Sequence, residues 1–283
     1  MSIPVKKAVI VAAGYGTRFL PITKSVPKEM LPLLSKPSIQ YVVDEIINSE
    51  ICDVTFVIAP GKEIIVDYFK PAPQLEAFLE KKGDKSGLKA IRSVPRTLNF
   101  SHVYQSAPLG LGLAVAAARD AMGNEPFLVI LPDDIIESAF PVIRHMLNVY
   151  DKYPGSILLV EECRPEDTNR YGIIDAEILE NGIYRVKSLV EKPRPEEAPS
   201  RLAIIGRYIL MPEIFDAIEQ TKPGKGGEVQ LTDSLKLLLQ AQPIFACKFE
   251  GTRFDTGSPD GWLKANIAWA AKTGLSSNKS NNG

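Results

Sequence analysis

The sequence predicts an α/β fold in which a mixed, mostly parallel sheet is flanked by helices on both faces. Two observations carry that reading. Short, almost continuous runs of valine and isoleucine bounded by glycine are what strands buried on both faces look like, and helical patterns alternate with those runs through the first half of the chain. A third observation concerns the second half: after about residue 160 the apolar runs come closer together, with Asn181-Gly182 between two of them, which predicts hairpins and an elaborated C-terminal half.

Taken in order, strands are expected at 5–12, 54–59, 127–131, 156–161, 173–175, 183–190, 204–210 and 244–249. Helices are expected at 38–49, 63–69, 74–81, 110–122 and 140–150, with a final helix after Asp255. The proline-rich stretch 192–199 is short and charged and reads as a surface loop, so no linker separates domains. One domain over residues 1–275 is expected, dividing functionally near residue 135. Residues 276–283 contain only Ser, Asn, Lys and Gly and are expected to be a disordered tail.

Composition narrows the function classes. Hydrophobic residues make up 45% and charged residues 24% of the 283, as in ordinary globular domains rather than disordered chains. The 33 basic and 34 acidic residues leave a net charge of -1, so no global field draws the chain to nucleic acid or to an anionic membrane. Any anion site must be local. Cys52, Cys163 and Cys247 are far apart and odd in number, which argues against a disulfide framework or a structural zinc and suits a reducing, cytoplasmic setting. The first apolar run is broken by glycine too soon to be a signal peptide or a membrane span.

After the first strand comes Ala12-Ala13-Gly14-Tyr15-Gly16-Thr17-Arg18, small residues where a backbone must turn or approach a ligand. In an open α/β sheet, ligands bind beyond the carboxyl ends of the strands. Glycine after a strand is as often a plain turn, and the following residues discriminate. No third small residue stands where a dinucleotide fingerprint needs one, and no G-K-[ST] follows. Instead, prolines 21, 27 and 32 stiffen a loop carrying Arg18, Lys24 and Lys28, three cations able to clamp several phosphate oxygens. Hydrolytic motifs are missing: His102 and His145 are the only histidines, and no H-E-x-x-H or G-x-S-x-G is present.

The whole stretch, Ala13-Gly14-Tyr15-Gly16-Thr17-Arg18-Phe19-Leu20-Pro21-Ile22-Thr23-Lys24 with Pro27-Lys28-Glu29-Met30-Leu31-Pro32, resembles the signature of the sugar-1-phosphate nucleotidylyltransferases. It is most similar to that of the bacterial UTP-glucose-1-phosphate uridylyltransferases, and further blocks recur to about residue 262. The resemblance implies a Rossmann-like, glycosyltransferase-A-like fold, with nucleotide binding in about 1–135 and sugar binding in about 136–275. It implies UTP and glucose 1-phosphate as substrates, Mg²⁺ as cofactor, and a homodimer or homotetramer. That chemistry needs no enzyme nucleophile, because the sugar phosphate attacks the α-phosphorus in line with departing pyrophosphate. What it requires is cations and a metal held by carboxylates.

By the same resemblance, Ala12, Ala13, Gly14, Gly16, Thr17, Gly110 and Gly112 line the nucleotide, and Gln105 meets the uracil edge, for which an amide offers donor and acceptor. Gly112 would let the base lie close. Arg18 and Lys28 are expected at the reacting phosphates, and Lys192 at the sugar phosphate. Gly172, Glu191 and Glu228 would hold the sugar. Asp133, the first acid after the strand ending at Leu131, and Asp255 in Phe254-Asp255-Thr256-Gly257 would hold the metal. Asp134 ranks second, since it would point the other way in an extended chain. Unaided, Asp133 also reads as a helix cap, Asp255 as an Asx-turn, and Glu191-Lys192-Pro193 as a solvated turn. One stretch departs from the uridylyltransferase pattern: Ser258-Pro259 follows Gly257, nearer the thymidylyltransferase relatives, which keeps dTTP as an alternative substrate. A non-catalytic relative would have lost metal ligands or phosphate cations; Arg18, Lys28, Asp133, Lys192 and Asp255 are all present.

Overall fold

The computed structural model describes residues 2–105, 107–224 and 227–273. The expected tail at 276–283 and Gly226 lie outside the described residues. The chain begins with β1 (Lys7–Ala12), whose side chains alternate between two apolar cores: Ala8, Ile10 and Ala12 enter one and Val9 the other. Burial on both faces is why the run reads as unbroken apolar sequence. A loop containing three 3-10 turns, Thr17–Phe19, Ile22–Lys24 and Lys28–Met30, follows it. The small hairpin of β2 (Pro32–Leu33) and β3 (Lys36–Pro37) then leads into α1 (Ser38–Ile47) and β4 (Asp53–Ile58).

Next come α2 (Ile64–Asp67), α3 (Pro73–Lys82) and α4 (Lys85–Arg92), then β5 (Asn99–Tyr104). Pro73 starts α3 and Gly83, at φ 72, ends it; Asp84 caps α4 by accepting from the Gly87 amide at 2.8 Å. The expected helix 110–122 is two, α5 (Leu111–Ala116) and α6 (Arg119–Met122). They precede β6 (Phe127–Ile130), β7 (Asp134–Glu137), α7 (Val142–Lys152) and β8 (Ser156–Glu162). β9 (Gly172–Glu180) and β10 (Ile183–Glu191) form the expected hairpin, with Gly182 at φ 74 in its turn. The rest is β11 (Leu202–Leu210), α8 (Ile214–Gln220), α9 (Leu231–Leu238), β12 (Ile244–Lys248), β13 (Thr252–Asp255) and α10 (Pro259–Lys272).

Nine strands form one sheet in the order β5-β4-β1-β6-β11-β8-β12-β10-β9. The first four run parallel, whereas the second half is antiparallel apart from β12 beside β8. α1, α7 and α10 feed the core on one face and α5, α6, α8 and α9 the core on the other. The chain leaves β1 toward β4 on one side and toward β6 on the other, so the loop after β1 sits at a topological switch point. β7 and β13 make a separate two-stranded ribbon that pairs Asp134 with Asp255, which places the ends of both acidic segments side by side. No helix among the described residues is long and apolar enough to cross a membrane.

Phe127 of β6 is fully buried and stacks on Phe215 of α8, with ring centroids 5.2 Å apart and planes 8° from parallel. Phe127→Ala is expected to cost about 3–5 kcal/mol in urea unfolding; a loss below about 1 kcal/mol would mean that this face of the core does not depend on the stack.

Candidate active site

β6 ends in Leu131-Pro132-Asp133-Asp134, and the two adjacent acids diverge, as extended chain demands. Asp133 Oδ2 accepts from Lys28 Nζ at 2.7 Å. Asp134 turns the other way, taking Arg253 Nη1 at 2.6 Å on one oxygen and the Gly206 amide at 2.8 Å on the other. Burial tends to push both acids up. For Asp133 that push is outweighed by Lys28, so its carboxyl lies below the usual range, whereas for Asp134 burial prevails over Arg253 and raises it. Lys28 shows the mirror image: burial would lower it, but Asp133 and Glu29 hold it above its usual value.

The third acid, Asp255, comes from the end of β13. Its Oδ1 accepts from the Gly257 amide at 3.0 Å, which is the Asx-turn foreseen as its plain reading, and its Oδ2 accepts from Arg170 Nη2 at 2.9 Å. The turn aims this acid at the site. A Cβ placed on Gly257 would stand 2.9 Å from Asp133 Oδ2 and 3.1 Å from Asp255 Oδ1, so both carboxylates border the same small space. Thr256 stitches the two loops together, its amide and hydroxyl donating to the Asp133 carbonyl at 2.7 and 2.9 Å. No group of three or more His, Cys, Asp or Glu suited to hold an ion occurs among the described residues. Two convergent carboxylates suit a hard cation that takes its other ligands from phosphate and water.

These acids border a cleft of ≈ 640 Å³. Arg18, Gly172, Glu191, Lys192 and Glu228 line it as the sequence predicts, together with Asp133 and Asp255. Arg18 donates to the Gly257 carbonyl at 3.3 Å, bringing the glycine loop to the same turn. In the same cleft, Lys192 Nζ lies 3.0 Å from Glu191 Oε1, and its own amide donates to the Tyr171 carbonyl at 2.9 Å. Lys192 has φ 46, a left-handed conformation that costs a non-glycine residue on the order of 1–3 kcal/mol. Such strain at a cleft residue is retained where the surroundings over-determine it.

The remaining nucleotide-side residues do not wall this cleft. Ala12 and Ala13 are buried at the end of β1, and Gly14, Gly16 and Thr17 continue from there. Gly16, at φ 66, packs on Lys28, 3.2 Å from where its Cβ would be. Gln105 donates to the Gly110 carbonyl at 3.2 Å. Packing within the protein already requires glycine at 110 and 112: a Cβ on either would strike Val229, at 2.4 and 2.9 Å from its carbonyl oxygen. The Gly112 amide donates to that same carbonyl at 2.9 Å. Val229 adjoins Glu228 of the cleft, so this segment couples the two ends. Lys24 is exposed and does not line the cleft, which reduces the expected trio of loop cations to Arg18 and Lys28.

Several participants escaped the sequence reading. Lys62 is buried and donates to the carbonyls of Ala12 at 2.5 Å and Gly14 at 2.9 Å and to Glu29 Oε2 at 2.8 Å, with burial lowering its pKa despite Glu29. In a trans peptide the next amide points away from its carbonyl. Lys62 thereby turns the amides of Ala13 and Tyr15 away from itself. Arg253 binds Glu161 Oε1 at 2.6 Å and the Tyr171 hydroxyl at 2.9 Å besides Asp134. Its only local sequence signal is its place two residues before Asp255. Ser258-Pro259, the departure from the uridylyltransferase pattern, caps α10: Ser258 Oγ accepts from the Gly261 amide at 3.3 Å and Pro259 takes the first helical position. Its local role is to begin a helix.

The Lys28–Asp133 pair has a defined pH window. Asp133, depressed from 3.8, lends stability above that value and loses it as pH falls through its lowered native value; Lys28, raised from 10.5, keeps its contribution until pH climbs through its raised one. In Lys28→Met the burial of Asp133 loses its main opposing charge, so the unfolding free energy lost in this variant is expected to be smaller at about pH 4, where the unpaired acid can be protonated, than at about pH 7. A loss unchanged between about pH 4 and 7 would show that Asp133 does not depend on Lys28 for its charge.

A nucleotidyl transferase family model matches residues 7–272. The UTP--glucose-1-phosphate uridylyltransferase of Pseudomonas aeruginosa is 45% identical over 263 residues, covering 92% of this chain and 94% of its own. The protein of that name from Bacillus subtilis is 44% identical over 266 residues, covering 94% and 91%. Among solved structures, a UDP-glucose pyrophosphorylase complexed with UDP-glucose superposes with TM-score 0.87 at 43% identity, over 95% of this chain and all of that one. UTP-bound UGPase from Acinetobacter baumannii superposes with TM-score 0.89 at 32% identity, over 98% of this chain and 100% of its own. With a model spanning nearly its whole length and relatives this close, the chain belongs to the nucleotidyl transferase family.

Proposed function

We propose that the chain joins UTP to glucose 1-phosphate, giving UDP-glucose and pyrophosphate. A phosphate oxygen of the sugar phosphate attacks the α-phosphorus of UTP, a new P–O bond forms, and the bond to the β-phosphate oxygen breaks in line. The observation that carries this reading is that Asp133, Asp255 and Arg18 line the same cleft as Glu191 and Lys192, with Lys28 paired to Asp133. The names of the close relatives agree with it.

In this reading Asp133 and Asp255 hold Mg²⁺, which when bound neutralises charge on the reacting phosphates. Arg18 and Lys28 place the triphosphate over the glycine loop, whose Ala13 and Tyr15 amides Lys62 has oriented, and Gln105 with the Gly110–Gly112 turn receives the uracil. Lys192 neutralises the sugar phosphate, and Gly172, Glu191 and Glu228 hold the sugar. Residues 1–275 act as one catalytic domain, since a single sheet carries both ends of the site. The chain is read as a cytoplasmic enzyme that assembles as a homodimer or homotetramer.

Pyrophosphate release measured with Mg²⁺, glucose 1-phosphate and each of UTP, dTTP, ATP, GTP and CTP tests the reading. UTP is expected to be preferred; no release with UTP would overturn it, and equal release with dTTP would overturn the choice of base. Asp133→Asn is expected to lower kcat on the order of 10²-fold or more in a protein that still melts cooperatively, at a temperature lowered by the loss of the Lys28 pair. An active variant would reassign the metal. Lys192→Ala is expected to raise KM for glucose 1-phosphate more than KM for UTP, and equal rises would place its charge elsewhere.

A further inference from the structure

Gly206 and Tyr208 line the cleft, whereas Arg207 between them does not. Its side chain is wholly buried, on the β11 residue paired with Ile130 at the end of β6. Glu45 of α1 meets it from the helix side, accepting from Nε at 3.2 and 3.3 Å and from Nη2 at 2.7 Å. The other donors go to main chain. Nη1 reaches the carbonyls of Gly206 at 2.9 Å and Leu131 at 3.2 Å, and Nη2 reaches that of Asp134 at 2.9 Å.

The choice of carbonyls is what matters. Leu131 and Asp134 bracket Pro132 and Asp133, so one rigid guanidinium grips the backbone on both sides of the acid that faces Lys28. Thr256 holds the carbonyl of Asp133 itself. Fold stability alone gives weak reason for a charge here, because a buried ion pair can be replaced by apolar residues of similar volume with little loss and sometimes a gain. An apolar pair would remove the donors that tie the Leu131 and Asp134 carbonyls to one side chain, leaving for Leu131 the Asp134 amide at 3.3 Å. Arginine suits the task because its donors are planar and fixed relative to one another.

We propose that Arg207, oriented by Glu45, is a positioning residue that sets the direction of the Asp133 carboxylate toward the space it shares with Asp255. The proposal rests on the reading of Asp133 as the metal-holding acid. Its effect acts through the backbone beside Asp133, whereas Gly172, Glu191, Lys192 and Glu228 stand on other segments of the cleft.

The test compares wild type, D133N, R207K, E45Q and the double variant R207M/E45L by melting temperature, steady-state kinetics, and calorimetric titration of Mn²⁺ in the presence of UTP. R207M/E45L is expected to melt cooperatively near the wild-type temperature, yet to lose on the order of 10–100-fold in kcat and in Mn²⁺ affinity. KM for glucose 1-phosphate is expected to stay within about twofold, since the sugar contacts are intact. R207K keeps the charge but not the fork, and is expected to fall between. E45Q, nearly isosteric, carries the same test if the others fail to fold, with the same split between kcat and KM. Wild-type kcat and Mn²⁺ affinity in any folded variant, or parallel loss of kcat and sugar KM, would overturn the proposal. An active D133N would instead overturn the reading of Asp133, so the two failures are distinguishable.

Discussion

The 2.7 Å ion pair between Lys28 and Asp133 is the contact on which the site is organised. It ties the loop after β1 to the end of β6, two segments that lie side by side only because β1 and β6 are neighbours in the parallel half of the sheet. A loop cation and a strand-end acid left apart would each face solvent; together they shift each other's titration so that both are charged across the physiological range. A polyphosphate and its metal could share or replace this pairing without leaving either charge uncompensated.

Around that contact, buried charge is spent on main chain rather than on stability. Lys62 with Glu29 fastens the carbonyls of the glycine loop and Arg207 with Glu45 fastens those beside Asp133, whereas Arg253 bonds side chains, those of Asp134, Glu161 and Tyr171. Loops at the end of a sheet have no ladder partners for these groups. Long cationic side chains reaching in from the core supply them, which keeps an irregular backbone in one conformation without filling the cleft.

The two ends of the site are joined by a different device. Gly110 and Gly112 approach the Val229 backbone so closely that no side chain fits, and Glu228 stands beside Val229 in the cleft wall. The turn after Gln105 and the sugar-side segment before α9 therefore sit on one another. The family resemblance placed these glycines at the base; the packing shows a protein neighbour that already requires them.

How much was legible in the sequence follows from the range of each cause. Strands such as β1 and β6, buried on both faces, declare themselves as apolar runs, and the cations and acids of the site stand in motifs whose spacing survives in the linear chain. β5 and α4 did not show, because an edge strand rich in Asn, Ser and His and a helix that buries no side chain leave no apolar pattern. Lys62, Arg170, Arg207 and Arg253 were equally silent about their roles. Each acts on a residue tens of positions or more away, so nothing local constrains its neighbours. By itself the sequence determined the fold class and the family, and it pointed to the cations and acids that the structure brings together around one cleft. Only the tertiary structure decided that Lys24 stands apart, that Asp133 and Asp134 part in opposite directions, and which buried cations hold the loops, because those outcomes depend on which strand ends meet and on the few donors that can reach carbonyls buried between them.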